Sequence, residues 1–304
     1  MKKIISVILV LCVLFLSACT SNSPADNAGT VTIAASFYPV YIFTMNLLEG
    51  IEVVNVQCMA EQNVGCLHDY TLTAKDAKLL SDAKLLVING AGMESFLEDA
   101  FEGVEDLKVV DSSVGIKAIC ADEHSHSEDE HTHSHEENSH IWLSVENARL
   151  QVENIKKGLV AELPQFENQI EENYNQYIGR LDALVKERDS VKAKLKSFSA
   201  VSFHGGYEYL AEDFGFEIIK TIESDEGTEP SARVLAQLSD EIKSHSAVVL
   251  LVEPLYNGSA AGILSAETDA EIIILNPVIS GEESLTAYED AMKENYKTIL
   301  KAVK

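Results

Sequence analysis

Eight short runs of aliphatic and β-branched residues, grouped four and four, constrain this chain more than any other feature. The first set falls at 31–35, 53–56, 85–88 and 107–110, and the second at 200–203, 216–219, 247–252 and 271–275. Runs of this length read as strands, and the stretches between them are compatible with helices. Alternating strands and helices imply parallel βαβ units with helices on both faces of each sheet. The expected class is therefore α/β, with two parallel-sheet lobes. Several helix starts are readable, such as Thr73 with Asp76 three residues on, a capping-box pattern, and 231–243 reads as a helix. Between the lobes, Pro164 opens a segment running to about residue 197, in which Phe166, Ile170, Tyr174, Tyr177, Leu181, Leu184 and Val185 keep three- and four-residue steps. That spacing predicts one long rigid helix, roughly 50 Å at 1.5 Å per residue, crossing the back of both lobes. The expected organisation is an N-terminal lobe at 30–145, a helical linker at 146–197 and a C-terminal lobe at 198–304.

The chain has 304 residues, 46% of them hydrophobic, which is enough for two domains of ordinary size. Its 49 acidic residues outweigh 23 basic ones, a formal charge of −26 that argues against a nucleic-acid partner. At the N-terminus, Lys2 and Lys3 precede an apolar run over 4–16, too short for a comfortable membrane span and built like a secretory signal. The run closes on Leu16-Ser17-Ala18-Cys19, which resembles the lipobox of bacterial lipoproteins. Residues 1–18 are then a signal peptide and Cys19 the lipid attachment site. Residues 19–29, small and polar, form a flexible tether. The expected location is extracytoplasmic, lipid-anchored to the bacterial cell membrane. Of the remaining cysteines, Cys58, Cys66 and Cys120, the first two are nearest in sequence, and a bridge between them is an open alternative.

Six of nine histidines lie between His124 and His140. The loop at 122–138 carries His124, His126, His131, His133 and His135 among acidic residues, a composition that cannot build a packed core. Clustered imidazole suits Zn, Cu or Ni, so this loop reads as an accessory, exchangeable metal-capture segment. Three other positions carry more information. His68 follows the second strand, His204 ends the first strand of the second lobe, and His140 adjoins the apolar Ile141-Trp142-Leu143. Ligands of open parallel sheets bind outside the carboxyl ends of strands, so these three histidines are candidate metal ligands in a cleft between the lobes. His245, at an expected helix C-terminus, is explained by the macrodipole.

Five segments in order now resemble one family. Ser36-Phe37-Tyr38-Pro39, Gly65-Cys66-Leu67-His68-Asp69-Tyr70, Asn89-Gly90-Ala91-Gly92-Met93-Glu94, Ser139-His140-Ile141-Trp142-Leu143 and Phe203-His204-Gly205-Gly206-Tyr207 are similar to those of the zinc- and manganese-type metal-binding lipoproteins of bacterial ABC importers, the cluster A-I solute-binding proteins. The resemblance covers essentially the whole chain beyond the signal. It implies two (β/α)4-like lobes joined by a rigid helix, a metal held in the interlobe cleft, limited hinge motion and an ABC permease as partner. His204 at the third ligand position favours Zn2+, with Mn2+ as the alternative. Ile279 stands where many members carry an acidic fourth ligand, leaving water, Glu282 or Glu283. The chain is expected to be a monomeric, non-enzymatic binding protein. The rival readings are a manganese-binding homologue, a surface adhesin and a zinc hydrolase with a three-histidine site.

Overall fold

The computed structural model describes residues 30–60, 70–97, 104, 106–119, 137–222, 230–245, 248–256 and 258–303. The signal segment and Cys19, the stretch bearing Cys66 and His68, and the segment with Cys120 and the five loop histidines all lie outside the described residues.

The N-terminal sheet contains β1 (Val31–Ala35), β2 (Val54–Cys58), β3 (Leu85–Ile88) and β4 (Lys108–Asp111), in the order β2-β1-β3-β4. The C-terminal sheet contains β5 (Ser199–Ser202), β6 (Glu217–Thr221), β7 (Val248–Val252) and β8 (Glu271–Ile274), in the matching order β6-β5-β7-β8. Every pairing is parallel. The central strands are the most buried, as strands covered on both faces must be; Leu86, Val87, Ala200, Val201, Leu250 and Leu251 have no exposed surface. Each expected strand is present, with ends displaced by up to two residues.

In each sheet the winding reverses between two strands, β1 and β3 in the first lobe and β5 and β7 in the second. Open parallel sheets bind ligands in the crevice outside such reversals. Helix α1 (Tyr38–Leu47) starts directly after β1, with Pro39 in its first turn where a missing N–H costs nothing. Nine of its ten residues are buried, so it lies inside the molecule rather than on a face. Helix α2 (Ala74–Asp82) has the anticipated capping box: the Asp76 N–H donates to Thr73 Oγ1, and Asp76 Oδ2 accepts from the Thr73 N–H.

The helix expected over 164–197 is present as α4 (Glu167–Lys192), opened by a 3-10 turn at Pro164–Phe166, and a second helix, α3 (Val145–Glu162), precedes it in the linker. Proline disfavours helical backbone at the preceding residue, and Leu163 sits accordingly at φ −129°, ψ 53°. The helices are antiparallel, since Arg149 pairs with Asp182 at 2.9 Å and Lys156 with Glu171 at 2.9 Å. With 26 residues, α4 spans about 39 Å.

Helix α4 still ties the lobes together. Asn173 Nδ2 donates to the carbonyls of Leu47 and Glu49 at the end of α1, and Arg180 Nε donates to Glu289 Oε1 at 2.8 Å. Glu289 belongs to α8 (Ala287–Ala302), the closing helix of the second lobe. The remaining helices, α5 (Glu208–Phe214), α6 (Ala232–Ser244) and α7 (Ala260–Thr268), cover the C-terminal sheet. His245 caps α6, its Nδ1 2.9 Å from the Glu241 carbonyl, as the helix-end reading requires.

One apolar core runs through both lobes. Trp142 is wholly buried, stacks edge-on against Phe37 at 4.9 Å and donates its indole N–H to the Pro277 carbonyl at 2.8 Å. Tyr288 of α8 contacts Phe43 of α1 at 5.0 Å and donates its hydroxyl to the Trp142 carbonyl at 2.7 Å. Nearer the cleft, the Tyr38 hydroxyl donates to the Glu282 carbonyl at 2.6 Å and the Tyr41 hydroxyl to Glu283 Oε2 at 3.2 Å. Burial first, then the neighbouring glutamates, pushes both phenols up to about 12, so both remain neutral donors at ordinary pH. Buried apolar and hydrogen-bonded contacts across the lobe boundary resist large relative rotation.

Candidate metal centre

His204 and His140 reach the same point from opposite sides of the cleft. Strand β5 ends at Ser202, whose hydroxyl donates to the His204 carbonyl at 2.6 Å and fixes the backbone as it leaves the sheet. His140 comes from the segment entering the 3-10 turn at Ile141–Leu143, and its side chain packs beside Trp142 with ring centroids 5.1 Å apart. The two imidazoles meet edge to face, with Nε2 of one 3.0 Å from Nε2 of the other.

The other nitrogen of each ring faces an oxygen. Asn138 Oδ1 accepts the His140 backbone N–H at 2.9 Å, so that atom is an acceptor, and the His140 Nδ1 at 3.0 Å from it must be the donor. His204 Nδ1 lies 2.8 Å from Glu253 Oε1, the first residue beyond β7. In His140 Nδ1 therefore carries the proton, and the carboxylate beside His204 Nδ1 favours the same tautomer there, which leaves both Nε2 atoms facing the shared space. Two lone pairs converging on one point form a natural bidentate seat for a cation.

Close approach of the rings depends on Gly206. A Cβ at this position would lie 2.6 Å from His204 Cδ2, 2.7 Å from His204 Nε2 and 2.9 Å from His140 Cδ2. Only glycine leaves that volume free.

Asn138 also joins the lobes: its Nδ2 donates to the Gly205 carbonyl at 2.7 Å and to Glu208 Oε2 at 2.9 Å, while its carbonyl accepts the Tyr209 hydroxyl at 2.6 Å. The loop expected over 122–138 thus ends earlier than its composition suggested. Its last residue is a buried structural member of the site.

A second support lies behind His140. Asn89 Nδ2 donates to the Ser139 carbonyl at 2.9 Å, and Gln151 of α3 donates to Asn89 Oδ1 at 2.9 Å. The 89–94 segment is closed by Glu94, which accepts from Ser36 Oγ and the backbone N–H groups of Asn89 and Gly90 at 2.7, 2.7 and 3.0 Å. Gly90 has φ +79° and no room for a side chain, since a Cβ would fall 1.9 Å from Asp111 Oδ1. Complete burial raises the Glu94 carboxyl to about 7 against the pull of its three donors. A carboxyl raised in the folded state stabilises the fold below its unfolded value, and that contribution is lost as pH rises through about 7. Relative to Glu94→Gln, the wild-type chain should therefore lose stability between about pH 5 and 8, by up to on the order of 3 kcal/mol. Urea unfolding of both proteins across that range checks this, and parallel pH profiles would contradict it.

The remaining candidates divide into those the structure engages elsewhere and those it does not describe. Glu283 is taken up by Tyr41, and the Glu282 carbonyl by Tyr38. Among the described residues no group of three or more His, Cys, Asp or Glu side chains forms a metal cage, so neither glutamate completes one with the histidine pair. Cys58 is a free thiol rather than half of a bridge: its Sγ faces the Ala60 carbonyl at 3.4 Å, and burial, with the Glu283 charge adding, pushes the thiol up to about 12. His68 lies in 61–69, outside the described residues. Chain enters that stretch from Met59 and Ala60, at the carboxyl end of β2 on the crevice side.

Residues 33–302 match the family model described as zinc-uptake complex component A, periplasmic. The chain belongs to this family. It is 30% identical over 297 residues to the high-affinity zinc uptake system protein ZnuA of Bacillus subtilis, covering 93% of this chain and 92% of that protein. It is 31% identical over 305 residues to the zinc-binding lipoprotein AdcA of Streptococcus pneumoniae, covering 99% of this chain but 59% of AdcA. The chain therefore spans about three fifths of the length of AdcA. Among solved structures it resembles a crystal structure of ZnuA at TM-score 0.76 and 25% identity, over 90% of this chain and all of that one. It also resembles Zn(II)-bound AdcA from Streptococcus pneumoniae at TM-score 0.75 and 27% identity, over 90% of this chain and 58% of that one. A Mn2+ complex of FpvC from Pseudomonas aeruginosa shares the fold at TM-score 0.77 and 23% identity, over 90% of this chain and 98% of that one. The family match runs through both lobes and the helix pair, so the two-lobed α/β expectation holds.

Proposed function

We propose that the chain is an extracytoplasmic solute-binding protein that captures zinc between its lobes and delivers it to an ABC permease, without itself catalysing a reaction. The observation carrying this reading is the pair of imidazoles from opposite sides of the cleft, with Nδ1 of His140 on the Asn138 amide, Nδ1 of His204 against Glu253, and the two Nε2 atoms 3.0 Å apart. Two nitrogens at 2.0–2.1 Å from a tetrahedral zinc stand about 3.3 Å apart, so the pair needs to open by only a few tenths of an ångström. His68 is the proposed third ligand, approaching from the carboxyl end of β2, and the fourth position stays exchangeable. Neutral imidazoles suit zinc better than manganese, which favours oxygen ligands. The names of the ZnuA and AdcA relatives support the same choice.

Cys19 would tether the protein to the membrane through its lipid, beside the permease. Docking there would perturb the cleft and lower its affinity, with the shared core limiting the motion to side chains and loops rather than whole lobes. A strain lacking the chain, grown under zinc limitation by a chelator, tests the reading. Growth should return with the wild-type chain or with added zinc, and should not return with a His140→Ala/His204→Ala variant. Rescue by the double variant, or relief by manganese in place of zinc, would contradict it.

A further inference from the structure

We propose that Glu253 is a positioning residue that holds His204 in its zinc-binding orientation and strengthens it as a ligand, an inference that rests on reading the interlobe histidine pair as the zinc site. Strand register brings the two residues together. Strands β5 and β7 are adjacent and parallel with Ser202 opposite Leu251, and the Phe203 N–H continues the ladder by donating to the Leu251 carbonyl at 2.9 Å. Two residues beyond each member of that pair stand His204 and Glu253, at the point where the sheet winding reverses. Their side chains are only 16% and 19% exposed, and Nδ1 and Oε1 lie 2.8 Å apart. Glu253 Oε1 is buried without an aligned hydrogen bond, and His204 Nδ1, 2.8 Å away, is the group it faces. The Glu253 backbone is itself fixed by a turn in which the Tyr256 N–H donates to its carbonyl at 3.1 Å.

The carboxylate acts through the ring and does not ligate. It occupies the Nδ1 edge of His204, whereas Nε2 is the atom directed at His140. Accepting the Nδ1 proton fixes the tautomer, stops the ring from flipping and raises the donor strength of Nε2. The Nδ1 edges of the two ligands differ: that of His140 faces the neutral amide of Asn138, and that of His204 faces a carboxylate. Partial exclusion of water strengthens that contact relative to one at the surface.

Zinc affinity measured by chelator competition on Glu253→Ala and Glu253→Gln, each in wild-type and His204→Ala backgrounds, tests the role. Glu253→Ala should weaken zinc binding by about 10- to 100-fold in the wild-type background. Glu253→Gln, which keeps an acceptor oxygen and loses the charge, should weaken it by a smaller factor. In the His204→Ala background both changes should have no further effect, because a residue acting through His204 has nothing left to act on. Loss of similar size in both backgrounds, or less than a threefold loss in the wild type, overturns the proposal. If His204→Ala itself leaves zinc binding unchanged, the site reading fails and this proposal with it. Thermal melting accompanies each variant, and if Glu253→Ala fails to fold, the isosteric Glu253→Gln carries the comparison.

Discussion

Replacing His204 with alanine is expected to weaken the tight zinc site by at least tenfold, and His140→Ala should do the same. Each substitution removes one of the two Nε2 atoms that the structure brings to a single point, and among the described residues no group of three or more His, Cys, Asp or Glu forms an alternative metal cage. His68→Ala should match them if the third ligand comes from the segment after β2. Tenfold corresponds to about 1.4 kcal/mol, a small share of what a zinc–imidazole bond supplies, so the figure is a floor. Competition against a chelator of known strength measures it. Wild-type affinity in either of the first two variants would remove the pair from the site. His140 is 5% exposed and touches Trp142, so His140→Ala should also lower thermal stability, whereas the more accessible His204 should be separable from folding.

Gly206→Ala should be nearly as damaging to zinc binding without touching a ligand. The new methyl would come within 2.6–2.9 Å of both imidazoles, contacts that real Cβ atoms do not make. Neither ring can swing aside freely, because Asn138 holds the Nδ1 of His140 and Glu253 lies 2.8 Å from the Nδ1 of His204. Affinity should fall at least tenfold as the rings are forced apart. Gly262 in α7 and Gly179 in α4 provide the contrast, since a Cβ at either would meet nothing within 4 Å. Alanine there should leave zinc binding unchanged and raise helix stability by roughly 0.5–1 kcal/mol. Isothermal zinc competition and melting curves on the three variants separate the effects. Equal zinc affinity in Gly206→Ala and the wild type would mean that the rings are not constrained as described.

Most of the fold was readable because buried parallel strands are written as continuous apolar runs, and Leu85–Ile88 and Val31–Ala35 need no other context. In the linker, the helical steps from Phe166 onward correspond to α4, with Pro164 at its opening turn, while 145–162 adds a second helix whose buried face of Val145, Ala148, Val152, Ile155 and Leu159 carries an equally regular stripe.

At the site, His140 and His204 were legible from their places beside strand ends and apolar anchors. Glu253 carries the same sequence signal, since it stands just past the end of β7 as His204 stands just past the end of β5, at the sheet reversal. Asn138 was hidden by composition. It follows a run of histidines and acids, and only the folded chain shows its side chain bridging His140 to Gly205 and Glu208. Gly206 could have been recognised only from the crowding of two rings that are 64 residues apart in sequence.

The most direct test of the account is a competitive titration of Zn2+ and Mn2+ on the chain lacking residues 122–136, a deletion that spares Asn138 and removes the accessory histidines. The prediction is one tight site per chain, with zinc bound far more strongly than manganese, and a lower total zinc stoichiometry than the intact chain. A manganese preference, or loss of the tight site with the loop, would contradict a cleft built on His140 and His204.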